Sequence, residues 1–156
     1  MYTRIVVGTD GSIGANAAVD TAIELARLTG ATLHVVHAHK LSTAYHLAAA
    51  VEVGVVPNVV ESNEAILEES RRICDEVVAN AGRVGVTAEV HLEAGDAADA
   101  LTRVAVDAHA DLVVVGNRGM SGARRFVLGS VPNKVSHHCP ASLLIVDTSH
   151  AGDAGG

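Results

Sequence analysis

The sequence predicts a single open α/β domain: a five-stranded parallel sheet of order 3-2-1-4-5, doubly wound, with helices on both faces. Three observations carry that expectation. Short runs of Val, Ile and Leu alternate along the chain with longer segments of helical periodicity. Turn formers close nearly every run. The chain is 49% apolar but only 2% aromatic, so its core must be assembled from small branched side chains, which suits a parallel sheet covered on both sides. At 156 residues it is long enough for one domain and too short for two ordinary ones.

The first strand is RIVVG, from Arg4 to Gly8, closed by the turn residues Thr9-Asp10-Gly11-Ser12. From Ile13 to Leu28 the polar residues Asn16, Asp20, Glu24 and Arg27 line one side of a helix. Ala17, Ala22, Ile23 and Ala26 lie largely off that side, and Gly30 supplies the stop. TLHVVHAH, Thr32 to His39, reads as the second strand. Residues Leu41 to Val60 are the least legible stretch. Apolar yet broken by Gly and Pro, they fit a short helix, a flap or a packed loop. From Glu61 to Ala81 a stripe of Ile66, Ser70, Ile73, Val77 and Ala81 marks a second helix. Thr87 to Leu92 is a third strand, and Asp96 caps a helix running to about His109. DLVVVG, Asp111 to Gly116, is the fourth strand. A Gly-rich loop follows from Asn117 to Gly129, then a short helix with Ser130 at its N-cap and Pro132 in its first turn. SLLIVD, Ser142 to Asp147, is the last strand. The domain is expected over 1–148, and 149–156 should be a disordered tail.

Strands alternating with helices imply right-handed crossovers and a mainly parallel sheet. In the expected order the chain reverses direction between the first and fourth strands. A ligand belongs in the crevice at the carboxyl ends of those two strands. The two most unusual segments, GTDGS (Gly8–Ser12) and GNRG (Gly116–Gly119), fall there.

Composition narrows the function. A net charge of −7 argues against general nucleic-acid binding, which needs clustered Lys and Arg, and three aromatic residues argue against stacking on single strands. The N-terminal MYTRIVVGTDGS lacks the layout of a secretory signal, and no stretch reaches the ~18 apolar residues of a membrane span, so a cytoplasmic location is expected. Cys74 and Cys139 are expected to be reduced thiols, buried or half-buried.

The sharpest motif is Gly116-Asn117-Arg118-Gly119, nine further residues, then Gly129-Ser130. Glycines allow close backbone approach to a ligand, and the helix N-terminus that follows attracts phosphate oxygens. Arg118, Arg124, Arg125 and Lys134 bracket the loop, four of the 11 basic residues. Asp10 follows a buried strand, where its carboxylate can accept a ribose hydroxyl, help hold Mg²⁺, or close the turn as an Asx-turn; these roles are compatible. The nine histidines suggest metal, but in an extended strand His34 points away from His37 and His39, and His137, His138 and Cys139 are consecutive on a helix. No metal cluster is expected from that spacing.

The pattern G-x2-G-x9-G-[ST] after the fourth strand resembles the nucleotide-binding signature of the universal stress protein family. The similarity extends through IVVGTDGS, HVVHA, VVVGNRG, LGSVPNKV and LLIVD, nearly the whole chain. The resemblance implies ATP at the switch point, with or without Mg²⁺, and homodimers formed through the last strand. Carried over by position, Gly8, Thr9 and Asp10 would lie beside the nucleotide and the main chain at Ala38 would meet the adenine. Val115, Gly116, Arg118 and Gly119 would flank the ribose and phosphates, while Gly129, Ser130 and Val131 would hold the phosphate chain.

There is no G-x4-G-K-[ST], no G-x-S-x-G and no G-x-G-x-x-G, and neither the S-G-G-x-D-S loop nor the H-x-G-H pair of adenylating families. The resemblance implies an ATP-binding regulatory protein of stress response, not a dedicated enzyme; slow ATP hydrolysis stays open, with no candidate base positioned by the sequence. Cyclic AMP or AMP is the alternative ligand. Outside that class stand a flavodoxin-like FMN or electron-transfer module, which lacks the aromatics to sandwich a flavin, and a nucleotide-free dimeric interaction module.

Overall fold

The computed structural model describes residues 1–40, 57–117 and 128–149, for 57–62 the backbone only. In chain order the elements are β1 (Arg4–Gly8), α1 (Ile13–Thr29), β2 (Thr32–His39), α2 (Pro57–Arg83), β3 (Ala88–Ala94), α3 (Ala97–Asp107), β4 (Leu112–Gly116), α4 (Ser130–His138) and β5 (Ser142–Val146). The five strands form one sheet in the order β3-β2-β1-β4-β5, every neighbouring pair parallel. The expected sheet is the observed one.

Alternation along each strand splits the core in two. Ile5, Val7, Leu33, Val35, Leu112 and Val114 face α1 and α2, meeting Ala22 and Ile23 of the first and Cys74 and Val77 of the second. Val6, Val36, Val113 and Val115 face α3 and α4, packing on Leu101, Val104 and Val135. Small residues on the helices let them lie close to the sheet, which is why the core needs almost no aromatic ring.

Helix ends follow their local chemistry. Ser12 caps α1, its hydroxyl accepting from Ala15 N, and Gly30 ends it in the left-handed conformation at φ 73°. The Asp96 carboxylate caps α3 by accepting from Ala98 N and Asp99 N. Two expectations need correction. The helix expected from Glu61 begins at Pro57, because proline's fixed φ and missing N–H suit a first helical turn. The N-cap of α4 is Gly129, not Ser130; Ser130 is already helical, and no side chain caps this end. Both cysteines are free thiols, and burial, with Asp75 adding to it, pushes the Cys74 thiol up to about 11. Residues 41–56 and 150–156, with the expected tail, lie outside the described residues. Among those described, no helix is long and apolar enough to cross a membrane.

Candidate functional site

The carboxyl ends of β1 and β4 part company, and a cleft with about 840 Å³ of empty space, part of it open to solvent, lies between them. Gly8, Thr9 and Asp10 form one rim, Ala38 the β2 side, Val115 and Gly116 the β4 side, and Gly129, Ser130 and Val131 the far wall. Nine of the eleven positions singled out by sequence thus converge on one cavity. The other two, Arg118 and Gly119, lie outside the described residues, as do Arg124 and Arg125.

Each wall has a local cause. Thr9 N donates to Val36 O at 3.0 Å, the last bond between β1 and β2, after which the chain turns away. The turn is held by Thr9 Oγ1, which accepts from Gly11 N at 3.2 Å, and by Asp10 Oδ1, which accepts from Ser12 N at 2.9 Å. The Asx-turn reading of Asp10 is therefore realised. Buried His37 donates from Nδ1 to Thr9 O at 2.9 Å, which sets its tautomer. Gly11 has φ 76°, which favours glycine, and a Cβ there would press on Ile73 at 3.1 Å. At Gly8 the demand is packing: a Cβ would lie 3.2 Å from both methyl carbons of Leu101.

Among the described residues, β2 runs on beyond the last β1–β2 bond with that edge unpaired. Backbone groups alternate in direction along a strand; Val36 O points to β1, while His39 O accepts from Gly95 N next to β3. Ala38, two residues after Val36, therefore turns its N–H and C=O toward the cleft, where β1 no longer reaches. Across the cleft, the N–H groups of Ser130 and Val131 occupy the first two positions of α4, which have no intrahelical acceptor. Gly129, lacking a side chain, leaves them uncapped.

Asn117 holds the far wall in place. Its N–H donates to Val146 O at 2.9 Å and its C=O accepts from Gly129 N at 3.0 Å. Its side chain donates to Asp147 Oδ1 at 3.0 Å and accepts from the Thr148 hydroxyl at 2.6 Å. One residue thus ties the ends of β4 and β5 to the start of α4. Sequence reasoning passed over it within GNRG.

The electrostatics differ from the expectation in one respect. Lys134, taken as part of a basic bracket, instead pairs with Asp99 Oδ1 at 2.9 Å and Asp96 Oδ1 at 3.1 Å. The Asp99 N–H and the Lys134 ammonium hold the Asp96 carboxyl below the usual carboxylate range, and both aspartates push Lys134 upward. Asp10 is the only ionisable side chain among the described residues lining the cleft. The remaining walls, missed in the sequence, are apolar: Ala15, Val36, Ala97, Leu101 and Pro132. Spacing could have found several of them. Val36 shares a strand face with Ala38, and Ala97 and Leu101 are one helical turn apart.

Comparison with known proteins bears on this architecture. The model of the universal stress protein family matches residues 1–147. The chain is 34% identical to universal stress protein Rv1636 of Mycobacterium tuberculosis (strain ATCC 25618 / H37Rv), covering 95% of this chain and 98% of that one. It is 30% identical to universal stress protein YxiE of Bacillus subtilis (strain 168), over 94% and 99%. Among solved structures, a universal stress protein in complex with cAMP superposes with a TM-score of 0.63 at 33% identity, covering 95% of this chain and 98% of that one. The hypothetical protein MJ0577 shares the fold with a TM-score of 0.79 at 19% identity, covering 94% and 96%. The chain belongs to the universal stress protein family.

Proposed function

We propose that this chain binds an adenine nucleotide, ATP foremost, in the cleft between β1 and β4, and acts through binding instead of turnover. The observation that carries the reading is the start of α4, where no side chain among the described residues caps the N–H groups of Ser130 and Val131 beside a largely apolar cleft. An anion at a helix N-terminus gains both hydrogen bonds and the positive end of the dipole. The uncovered Ala38 N–H and C=O offer a donor and an acceptor side by side, the complement of the adenine edge that carries an amino group beside a ring nitrogen. Apolar walls at Val36, Leu101 and Val115 suit the flat base.

The lining supports binding over catalysis. Its one carboxylate among the described residues, on Asp10, is partly committed to Ser12 N, and no imidazole or amine among those residues lines the cleft with it. Asp10 fits a Mg²⁺ ion only as a single ligand, with the nucleotide phosphates and water supplying the others. It would then hold the ion against the phosphate chain near Ser130.

Cyclic AMP is the second reading, favoured by its presence in the 33% identical neighbour. Calorimetric titration with ATP, AMP, cyclic AMP and adenosine, at fixed salt, separates the cases. Affinity rising from adenosine through AMP to ATP supports the phosphate chain along α4. Cyclic AMP binding more tightly than ATP would shift the assignment, and no binding of any of the four would refute it.

A homodimer through the β5 edge completes the proposal. β5 ends the sheet, and Leu143, Leu144, Ile145 and Val146 are each only half-buried. An apolar edge left open is a hazard that two-fold pairing removes. Leu144→Pro should give monomers or insoluble protein; a soluble, fully dimeric variant by light scattering would place the interface elsewhere.

A further inference from the structure

Away from the cleft, at the opposite edge of the sheet, His34 of β2 and Glu89 and His91 of β3 bring their side chains together. The parallel register sets His34 beside Glu89 and Val36 beside His91. All three side chains leave the sheet on the α3 face, because His34 alternates in step with Val36 and Glu89 with His91. His34 Nδ1 lies 3.0 Å from His91 Nε2 and 3.6 Å from Glu89 Oε2. A donor atom from each residue lies within 4.8 Å of the other two.

We propose that this trio is a binding site for a borderline divalent transition-metal ion of the Zn²⁺ class. Tetrahedral zinc with ligand bonds of about 2.0–2.1 Å holds its donor atoms roughly 3.3–3.4 Å apart, and the two observed separations bracket that value. Two imidazoles and one carboxylate are a donor set that suits zinc and its neighbours and not Mg²⁺ or Ca²⁺, which take oxygen. The ion sits where one N–H···N bond now joins the rings. Both imidazoles turn a lone pair to it: the ring that now donates shifts its proton to its other nitrogen, and the acceptor ring already carries its proton there.

His34 is held in place by burial, its side chain only 8% exposed, with Nδ1 turned toward both His91 and Glu89. Glu89, 59% exposed at the edge, supplies negative charge and keeps the fourth position open to water. The positive charge nearby is Arg4 on β1, whose Nε donates to His109 O at 2.8 Å, away from the trio. Bound there, the ion clasps β2 to the edge strand β3, two residues before Val36 enters the nucleotide cleft. It does not depend on that cleft being filled.

The test uses the full, tag-free chain, stripped of metal and nucleotide, titrated calorimetrically with ZnCl₂. Losing even an outer-shell partner weakens metal sites by roughly 10–100-fold, so His91→Ala should cost at least that much. Glu89→Gln, nearly isosteric and 59% exposed, should also weaken uptake while leaving the circular dichroism spectrum unchanged. Replacing both His137 and His138 by Ala should leave it unchanged. X-ray absorption of the zinc-loaded protein should show nitrogen and oxygen neighbours only. Equal affinity in wild type and in either His91→Ala or Glu89→Gln, a sulfur ligand from Cys74 or Cys139, or no zinc uptake by the wild type would overturn the site.

Discussion

Replacing Asp96 by Ala tests how the far side of the cleft is held. Asp96 accepts from Ala98 N at 3.0 Å and from Asp99 N at 3.1 Å, so the substitution strips two donors at the start of α3 of their acceptor. Loss of such a cap costs about 1 kcal/mol, within a range of about 0.5–2. For a domain of this size that lowers Tm by roughly 2–4 °C. The ion pair to Lys134 is solvent-exposed and adds little. Asp96→Asn should therefore remain near the wild type, since Asn caps about as well as Asp.

The pH dependence has a definite sign. The folded Asp96 carboxyl is held below its ordinary value, chiefly by the Asp99 N–H, so its stabilisation is present above the unfolded pKa of about 3.9 and lost as pH falls through the lower folded value. The gap between wild type and Asp96→Ala, measured by urea unfolding, should be full at neutral pH and shrink in acid below about pH 4. A variant as stable as the wild type at neutral pH, or a gap of constant size into acid, would refute the capping argument.

Three further outcomes are expected. Gly8→Ala drives a methyl toward Leu101, 3.2 Å away, and should destabilise by about 1–3 kcal/mol; adding Leu101→Ala should recover part of that loss, read as a non-additive double-mutant cycle. Gly129→Val places a branched side chain against the first N–H groups of α4 and should weaken ATP by roughly tenfold to a hundredfold in calorimetry, with an unchanged circular dichroism spectrum. Cys74, buried and raised to about 11, should resist alkylation in the native protein near neutral pH and react only on unfolding, as counted by mass spectrometry.

The fold was legible because its signals are local. RIVVG, TLHVVHAH and DLVVVG are short branched runs bounded by turn formers, and Ser12, Gly30 and Asp96 act at their own helix ends. Errors arose where partners decide. β3 runs on to Ala94, past the expected Leu92, because β2 keeps pairing with it: Ala38 with Glu93 and His39 with Ala94. Pro57 looked like a breaker within an apolar stretch, yet it opens α2. The candidate site was legible for the same reason as the fold, since glycines and a helix start mark a close backbone approach in one segment of chain. The destination of Lys134 was not, because Asp96 and Asp99 lie some 35–38 residues earlier. Nor was the His34–Glu89–His91 trio. Spacing within β2 correctly separates His34 from His37 and His39, but only strand register brings His91 to its side.

Lys134 also bears on how an acidic chain can hold a polyanion. A net charge of −7 does not by itself favour recruiting a phosphate chain, and the lysine nearest the start of α4 is paired with two carboxylates. The donors that face the phosphate end within the described site are chiefly backbone: the N–H groups of Ser130 and Val131, with the amide of Ala38 on the far side. Such donors are fixed in direction by the helix and strand that carry them, and Asn117 locks the two strand ends against that helix. They lose no side-chain freedom on binding, and they carry no proton to give or take at neutral pH. A site of that kind discriminates by geometry and phosphate position. A side chain added at Gly129, directly before those N–H groups, is therefore the sharper probe of the phosphate end, as Gly8→Ala is of the packing on Leu101 beside it.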